Sequence, residues 1–123
     1  LGVRRIIKKH IHLEASTRNL INTDNVRLLA KKPFLINVSR ANLIERKALE
    51  DAMDSHQIRG AAIDAHYEEP TSSSDELMAR KNVFFSPHVA GSTVDSYTSM
   101  LGACVENIRE YFETGSVRGL IPS

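Results

Sequence analysis

The sequence lacks most of the features that identify a functional class at once. It has one cysteine, no tryptophan and six glycines, which are too far apart to form a glycine-rich phosphate-binding loop. Lys plus Arg number 16 against 15 Asp plus Glu, so the net charge of +1 argues against nucleic acid or an anionic membrane as a partner. No apolar run is long enough to cross a bilayer, and no signal-peptide profile is present. We therefore expect one modest domain in the reducing cytoplasm.

The most informative stretch of the sequence lies between Pro33 and Pro70. It opens with an apolar run at 34–38 that is short and β-branched enough to be a buried strand. Apolar residues three and four apart over 44–53 predict an amphipathic helix, which Gly60 is expected to end. A second small apolar strand follows at 61–63. Strand, helix and strand in about thirty residues predict a βαβ unit, and hence an α/β fold with parallel strands.

The segment before this unit predicts two further elements. Residues 1–9 are predicted to be a solvent-exposed segment that precedes a strand. That strand is predicted at 10–13 and half-buried, because apolar and polar residues alternate there. His10 and His12 would share one face of that strand, but no third ligand lies at metal-site spacing, so we predict no metal. Thr23 or Asp24 is a candidate cap for a short helix through Ala30, with an apolar side at 28–30.

The segment after the unit predicts a loop, two helices and a strand. A serine-rich loop leads to a short helix at 74–79 and a third strand at 82–85. A long helix is then expected over about 93–113, with Ser92 and Asp95 at capping-box spacing and Gly115 at its end. Its apolar stripe includes the single cysteine, Cys104, which we expect to be a packed thiol.

Chemically useful side chains follow the ends of all three strands of the 34–85 region: Arg40, Asp64, Glu69 and His88. Ligands of open parallel sheets bind outside the carboxyl ends of the strands. A guanidinium can grip a carboxylate with two parallel donors, and an imidazole can give or take a hydroxyl proton near neutral pH. A carboxylate beside the imidazole would fix its tautomer. The set predicts chemistry on a 2-oxo or 2-hydroxy acid, with a nicotinamide as hydride carrier.

Each of these side chains also has a purely structural explanation. Arg40 could pair at the surface, and Asp64 could simply begin a turn. Glu69 belongs to a polar loop that could be solvent-exposed without any function. His88 could form a hydrogen bond with the backbone. Only the combination at consecutive strand ends favours a functional site.

Three ordered segments carry a family resemblance: LINVSRANLIERKALEDAM, IRGAAIDAHYEEP and NVFFSPHVAGST. They closely resemble the carboxyl-terminal half of the nucleotide-binding domain of the D-isomer-specific 2-hydroxyacid dehydrogenases, and the similarity runs from about residue 10 onward. The resemblance implies part of a Rossmann-type doubly wound parallel sheet over residues 1–123, without its first βαβ half and without a substrate domain. It also implies NAD or NADP as cofactor and a small 2-hydroxy or 2-oxo acid as substrate.

The resemblance assigns roles to individual residues. Arg40 matches the arginine that binds the substrate carboxylate, Glu69 matches the partner of the catalytic histidine, and His88 matches the general acid/base. Asp64 would contact the carboxamide side of the nicotinamide, and the 12–17 stretch would approach the adenosine. The positions that would line the cofactor are His12, Thr17, Val38, Ser39, Arg40, Asp64, His88, Ala90 and Gly91.

The sequence departs from the family pattern at several places. Ala41 stands for a usual glycine, His12 for a proline, and the triplet at 65–67, Ala-His-Tyr, for the commoner Val-Phe-Glu or Val-Phe-Pro. None of these changes removes a catalytic group. The larger departure is that no GxGxxG occurs, so residues that would bind the pyrophosphate are not in this chain.

Two classes of function remain open. The chain is either part of a D-2-hydroxyacid dehydrogenase, inactive on its own, or a truncated, non-catalytic fragment or dinucleotide-sensing module like the family's corepressor relatives. A half-sheet exposes an apolar edge. We therefore also expect a homo-oligomer, a swapped dimer or association with the missing half of the same enzyme.

Overall fold

The computed structural model describes residues 6–117 of the chain, which divides into two compact units, Leu1–Ala90 and Gly91–Ser123. The described part of the first unit contains a sheet of four short strands in the order β1-β2-β3-β4, and every neighbouring pair is parallel. This confirms the predicted parallel α/β architecture. The strands are β1 (Ile6–Lys9), β2 (Phe34–Asn37), β3 (Gly60–Ile63) and β4 (Val83–Phe85).

The sheet has one packed face and one exposed face. Side chains alternate between the faces of a strand, and partners in register share a face. On the packed face Leu35 and Ile63 are 1% and 4% exposed, whereas on the other face Ile6, Phe34 and Phe84 are 55%, 45% and 70% exposed. Parallel sheets are normally covered on both faces, so this unit buries only half of the surface that its strands offer.

Helix α1 (Arg46–Asp54) supplies much of the cover of the packed face. Its apolar positions, spaced three and four apart, are at most 2% exposed and belong to the same core cluster as Leu35 and Ile63. The helix ends at Asp54, and His56 follows with a φ of +55°, so the prediction that Gly60 terminates it is wrong. Gly60 instead begins β3, where a Cβ would collide with the carbonyl oxygen of Asn82.

Two predictions for the segment before β2 are wrong. The strand lies at 6–9 and not at 10–13, because β1 pairs with β2 from Ile6↔Phe34 to Lys9↔Asn37 and the following residues run past the paired region. The prediction for 1–5 falls outside the described residues. The helix expected to reach residue 30 is a single 3₁₀ turn, Val26–Leu28. The Asn22 side chain accepts from the backbone N–H groups of residues 24 and 25, and this local turn competes with a helix.

The segment expected to be a short helix at 74–79 consists of turns. Asp75 accepts from the backbone N–H of Leu77 at 2.9 Å and binds the guanidinium of Arg46. These contacts hold the chain in an irregular path without a continuous helical ladder. The predicted helix is therefore wrong, although Asp75, near its expected start, does anchor the segment.

The second unit contains α2 (Val94–Thr114), which lies close to the predicted bounds. Its N-cap is Thr93, which accepts from the N–H of Ser96 at 3.1 Å, and not the predicted Ser92. Gly115 ends the helix with a φ of +73°, as expected. No residue of α2 is buried, and Cys104 is exposed, so the predicted packed thiol is wrong. No helix in the described part of the chain is both long and apolar enough to cross a membrane.

Candidate functional site

The segment that carries Ser39 and Arg40 is held in place by Asn37, the last residue of β2. Asn37 is 2% exposed; its Nδ2 donates to the carbonyl of Arg40 at 2.8 Å and its Oδ1 accepts from the N–H of Ser39 at 3.2 Å. The backbone N–H of Asp64 donates to the carbonyl of Asn37 at 3.0 Å, which ties the ends of two strands together. The sequence reasoning missed this residue, although an asparagine inside an apolar strand is a visible signal.

Asp64 anchors the loop that carries His88. Asp64 is 2% exposed, and its carboxylate accepts from the hydroxyl of Ser86 at 2.5 Å. The carboxylate also accepts from the backbone N–H groups of Val89 and Ala90, at 2.9 Å in both cases. Successive N–H groups that converge on one anion form a nest, which the carboxylate fills. Burial alone would raise the pKa of Asp64, but these hydrogen bonds outweigh it and the pKa lies below its ordinary value. The anchor is therefore a charged group.

Glu69 and His88 form a direct pair. Glu69 Oε1 lies 2.8 Å from His88 Nδ1, and the same oxygen accepts from the backbone N–H of His66 at 3.0 Å. That N–H, together with the imidazole, lowers the pKa of Glu69 below its ordinary value. His88 has a φ of +55°, which is uncommon for a residue with a Cβ. The side chains are 46% and 38% exposed, so the pair is open to a ligand.

His66, a second residue that the sequence reasoning did not single out as functional, adjoins this pair. Its Nε2 lies 2.9 Å from the carbonyl oxygen of Ser86, and its ring stacks on Phe85 with centroids 5.6 Å apart. The departure from the family triplet at 65–67 was the signal that pointed to it. The structure therefore places two histidines at one loop.

The loop that carries Glu69 is fixed to α1. The Tyr67 hydroxyl donates to the carbonyl of Ile44 at 2.9 Å, and burial raises the pKa of Tyr67. The guanidinium of Arg46 lies 5.7 Å from the Tyr67 ring centroid and binds Asp75 with two nitrogens. A loop held by these contacts presents its carboxylate from a firm support.

The predicted site residues line two different clefts. Glu69 and His88 lie in one, of about 460 Å³, with apolar walls that include Met78. Arg40 lies in the other, of about 510 Å³, together with Ser39. The structure therefore brings the carboxylate and imidazole together but does not place the guanidinium in their cleft. The chain alone does not assemble the complete constellation expected at one strand edge.

The remaining positions expected to line the cofactor are distributed unevenly. His12 lies in the cleft of Arg40. Thr17 shapes the loop beside it, because its Oγ1 donates to the carbonyl of His12 at 2.7 Å and accepts from a backbone N–H at 2.8 Å. Val38 is half-buried after β2, the N–H of Ala90 is bound by the Asp64 carboxylate, and Gly91 begins the second unit.

Among residues 6–117, no group of three or more His, Cys, Asp or Glu side chains is arranged to hold a metal ion. His10 and His12, the pair weighed from the sequence, are exposed residues beyond the end of β1. They line the same cleft as Arg40.

Comparison with known proteins places these features in one family. The model of the D-isomer specific 2-hydroxyacid dehydrogenase NAD binding domain matches residues 3–90. A putative 2-hydroxyacid dehydrogenase of Haemophilus influenzae is 33% identical over 112 residues, which are 88% of this chain and 36% of that protein. This chain spans about a third of the length of the curated relatives it matches.

Two solved structures extend the comparison to the fold. A D-isomer specific 2-hydroxyacid dehydrogenase from Xanthobacter autotrophicus Py2, in complex with NADPH and MES, superposes with a TM-score of 0.83 at 29% identity, over 96% of this chain and 48% of that one. A glyoxylate/hydroxypyruvate reductase from Sinorhizobium meliloti, in complex with NADP and malonate, gives 0.81 at 31% identity, over 93% and 35%. The parallel sheet is thus part of a Rossmann-type domain, and the chain belongs to the NAD binding domain family of the D-isomer specific 2-hydroxyacid dehydrogenases.

Proposed function

We propose that this chain is the proton-transferring part of an oxidoreductase that moves a hydride between a nicotinamide and a D-2-hydroxy acid or the matching 2-oxo acid. The observation that carries the proposal is the 2.8 Å contact between Glu69 Oε1 and His88 Nδ1 beyond the carboxyl end of β4. A carboxylate at Nδ1 keeps a proton on that nitrogen and leaves Nε2 for the substrate. Nε2 then takes the hydroxyl proton in oxidation and returns it to the carbonyl oxygen in reduction.

Arg40 is the proposed partner of the substrate carboxylate. Arg40 is exposed, and its Nη1 donates to the carbonyl of Ser39 at 2.8 Å. The other N–H groups of the guanidinium have the fork geometry that suits a carboxylate. Because Arg40 and His88 line different clefts, the proposal requires that further parts of a longer protein complete the wall between them. The limited share of its relatives that this chain covers supports that requirement.

The residues of this chain suit some parts of NAD or NADP but not all of them. A bound nicotinamide would supply or accept the hydride. His12, Ser39 and Arg40 line a cleft whose exposed donors suit the polar groups of a dinucleotide, and Asp64 holds the loop of Ala90 at the same sheet edge. The sequence contains no glycine-rich turn that could bind the pyrophosphate. Residues that bind the pyrophosphate would therefore have to come from another segment. Val38, Thr17 and Gly91 remain proposed lining positions.

The exposed sheet face supports association as part of the same proposal. Phe34 and Phe84 are 45% and 70% exposed on it, and a parallel sheet is stable when both faces are covered. We propose that this face is covered by a second copy of the chain when the chain is alone, which gives a homo-oligomer. In a longer enzyme, the remaining part of that enzyme would cover it. The proposed setting is the cytoplasm. Sedimentation that shows only monomer at high concentration would contradict the first half of this proposal.

Enzyme assays test the central claim. The 123-residue chain and the full gene product are each given glyoxylate or hydroxypyruvate with NADH or NADPH, and loss of the reduced nicotinamide is followed by absorbance. We expect turnover from the gene product and none from the chain alone. In the gene product, His88→Gln should lower kcat by about 10²–10⁴-fold, because the general acid is lost.

The matched control for this substitution is His56→Gln. His56 is also exposed and also has a φ of +55°, but it follows α1 and lies outside both clefts. It should leave kcat unchanged. A His88→Gln protein as active as this control would refute the proposed role of His88.

A second candidate function is dinucleotide binding without turnover. The observation that favours it is the separation of Arg40 and His88 into two clefts. Calorimetric titration with NAD and NADP distinguishes the candidates when it is combined with the assays. Binding to the gene product in the absence of turnover on any 2-oxo acid would favour the binding module.

A further inference from the structure

We infer that His66 is a positioning residue that holds the Glu69–His88 pair from two sides, through its ring and through its backbone. The ring closes the turn that carries His88, and the backbone N–H orients the carboxylate that binds the imidazole. The consequence for catalysis rests on the function proposed above. The geometry itself is independent of any substrate or cofactor.

The ring of His66 acts on the carbonyl of Ser86. That oxygen lies 2.9 Å from His66 Nε2 and also accepts the backbone N–H of His88 at 2.9 Å. A carbonyl oxygen can only accept, so His66 Nε2 carries a proton and donates it. Two donors therefore converge on one carbonyl, and both stabilise the tight turn in which His88 takes its left-handed φ of +55°.

The backbone of His66 acts on Glu69. Its N–H donates at 3.0 Å to Oε1, the same oxygen that lies 2.8 Å from His88 Nδ1. A carboxylate oxygen shared by two donors has little freedom to rotate away from either. His66 therefore fixes the acceptor as well as the turn that brings the donor to it.

The stack on Phe85 explains what a histidine adds at this position. The two rings are nearly parallel, with 17° between their planes, and Phe85 is the last residue of β4. A phenylalanine at 66, as in the commoner family triplet, would keep the stack but would lack the Nε2 donor. A glutamine would keep a donor at about the same reach but would lack the ring. The two replacements thus separate packing from hydrogen bonding.

Imidazole nitrogen NMR on the complete 123-residue chain tests the inference without substrate. Long-range proton–nitrogen spectra distinguish a protonated ring nitrogen from one with a lone pair. At neutral pH we expect His66 as the Nε2–H tautomer and His88 as the Nδ1–H tautomer. His66→Phe should remove the Nδ1–H signature of His88 and leave an average of both tautomers, whereas His66→Gln should restore it.

Two outcomes would overturn the inference. One is a His66→Phe chain in which the His88 tautomer is unchanged. The other is a wild-type chain in which His66 carries its proton on Nδ1, since Nε2 would then have nothing to donate. The tautomer of His66 in the wild-type chain decides the question even if His66→Phe fails to fold.

The same variants in the gene product separate this inference from the proposed function. If the enzyme is active, His66→Phe should lower kcat on the order of 10-fold or more with little change in KM, because a displaced acid slows chemistry more than binding. His66→Gln should recover most of that loss. A gene product without activity would refute the function, whereas the tautomer pattern would still decide the role of His66.

Discussion

Asp64→Asn separates the charge of the loop anchor from its shape. The amide can still accept from Ser86 and Val89 through its remaining oxygen, but its NH₂ group meets the N–H of Ala90, where the carboxylate accepts at 2.9 Å. A hydrogen bond to a charged group contributes about 1.5–3 kcal/mol and a neutral one about 1 kcal/mol. The neutral amide avoids part of the desolvation cost, so we expect a net loss of about 2 kcal/mol in the free energy of unfolding.

The pH dependence provides a sharper test of the same substitution. The pKa of Asp64 is lowered in the folded chain, so its contribution is complete above the unfolded pKa of about 3.9 and is lost as the pH falls through the folded pKa. Urea unfolding followed by circular dichroism should therefore show a gap between wild type and Asp64→Asn that is largest above about pH 5 and closes in acid.

A matched control and a refuting result complete the test of Asp64. The exposed Asp24, also in a loop of the first unit, should tolerate Asp24→Asn within about 0.5 kcal/mol at every pH. A gap between wild type and Asp64→Asn that is the same at pH 3 and pH 6 would refute the charged-anchor reasoning. So would amide exchange at residues 89 and 90 that the substitution leaves unchanged.

Three further substitutions test the fold around the site. Gly60→Ala should destabilise the chain by about 1–3 kcal/mol in urea unfolding, because its methyl group meets the Asn82 carbonyl, and wild-type stability would contradict that contact. Tyr67→Phe should cost about 1 kcal/mol by the same measurement, since the bond to the Ile44 carbonyl is lost; an unchanged midpoint would show that water replaces it. Phe84→Thr should shift sedimentation toward monomer with little change in stability, and an unchanged association state would argue against a role for the exposed face.

The sequence predicts the central βαβ unit well because its signals are local. The β2 run and the apolar spacing of α1 are strong periodic patterns, and both elements occur where they were expected. The short elements failed where side chains compete with the backbone for hydrogen bonds. Asn22 and Asp75 each accept from backbone N–H groups two or three residues ahead, and a turn replaces each predicted helix.

The candidate site is less accessible to sequence reasoning because its contacts join distant residues. The pairing of Glu69 with His88 was suggested by the residue types and assigned by the family resemblance, and it matches the 2.8 Å contact. The roles of Asp64 and His66 as supports of one turn depend on contacts across 20 or more residues, which no local pattern contains. The separation of Arg40 and His88 into two clefts is likewise a feature of the tertiary structure that no local pattern contains.

The sheet has a buried side and an open side, and the two sides have different relations to the candidate site. Asn37, which holds the segment of Ser39 and Arg40, points into the packed side. Phe34, Ile36 and Phe84 point the opposite way. We expect substitutions on that outer side to change association while leaving the contact between Glu69 and His88 in place. This outer side is therefore the place to alter association without touching the candidate site.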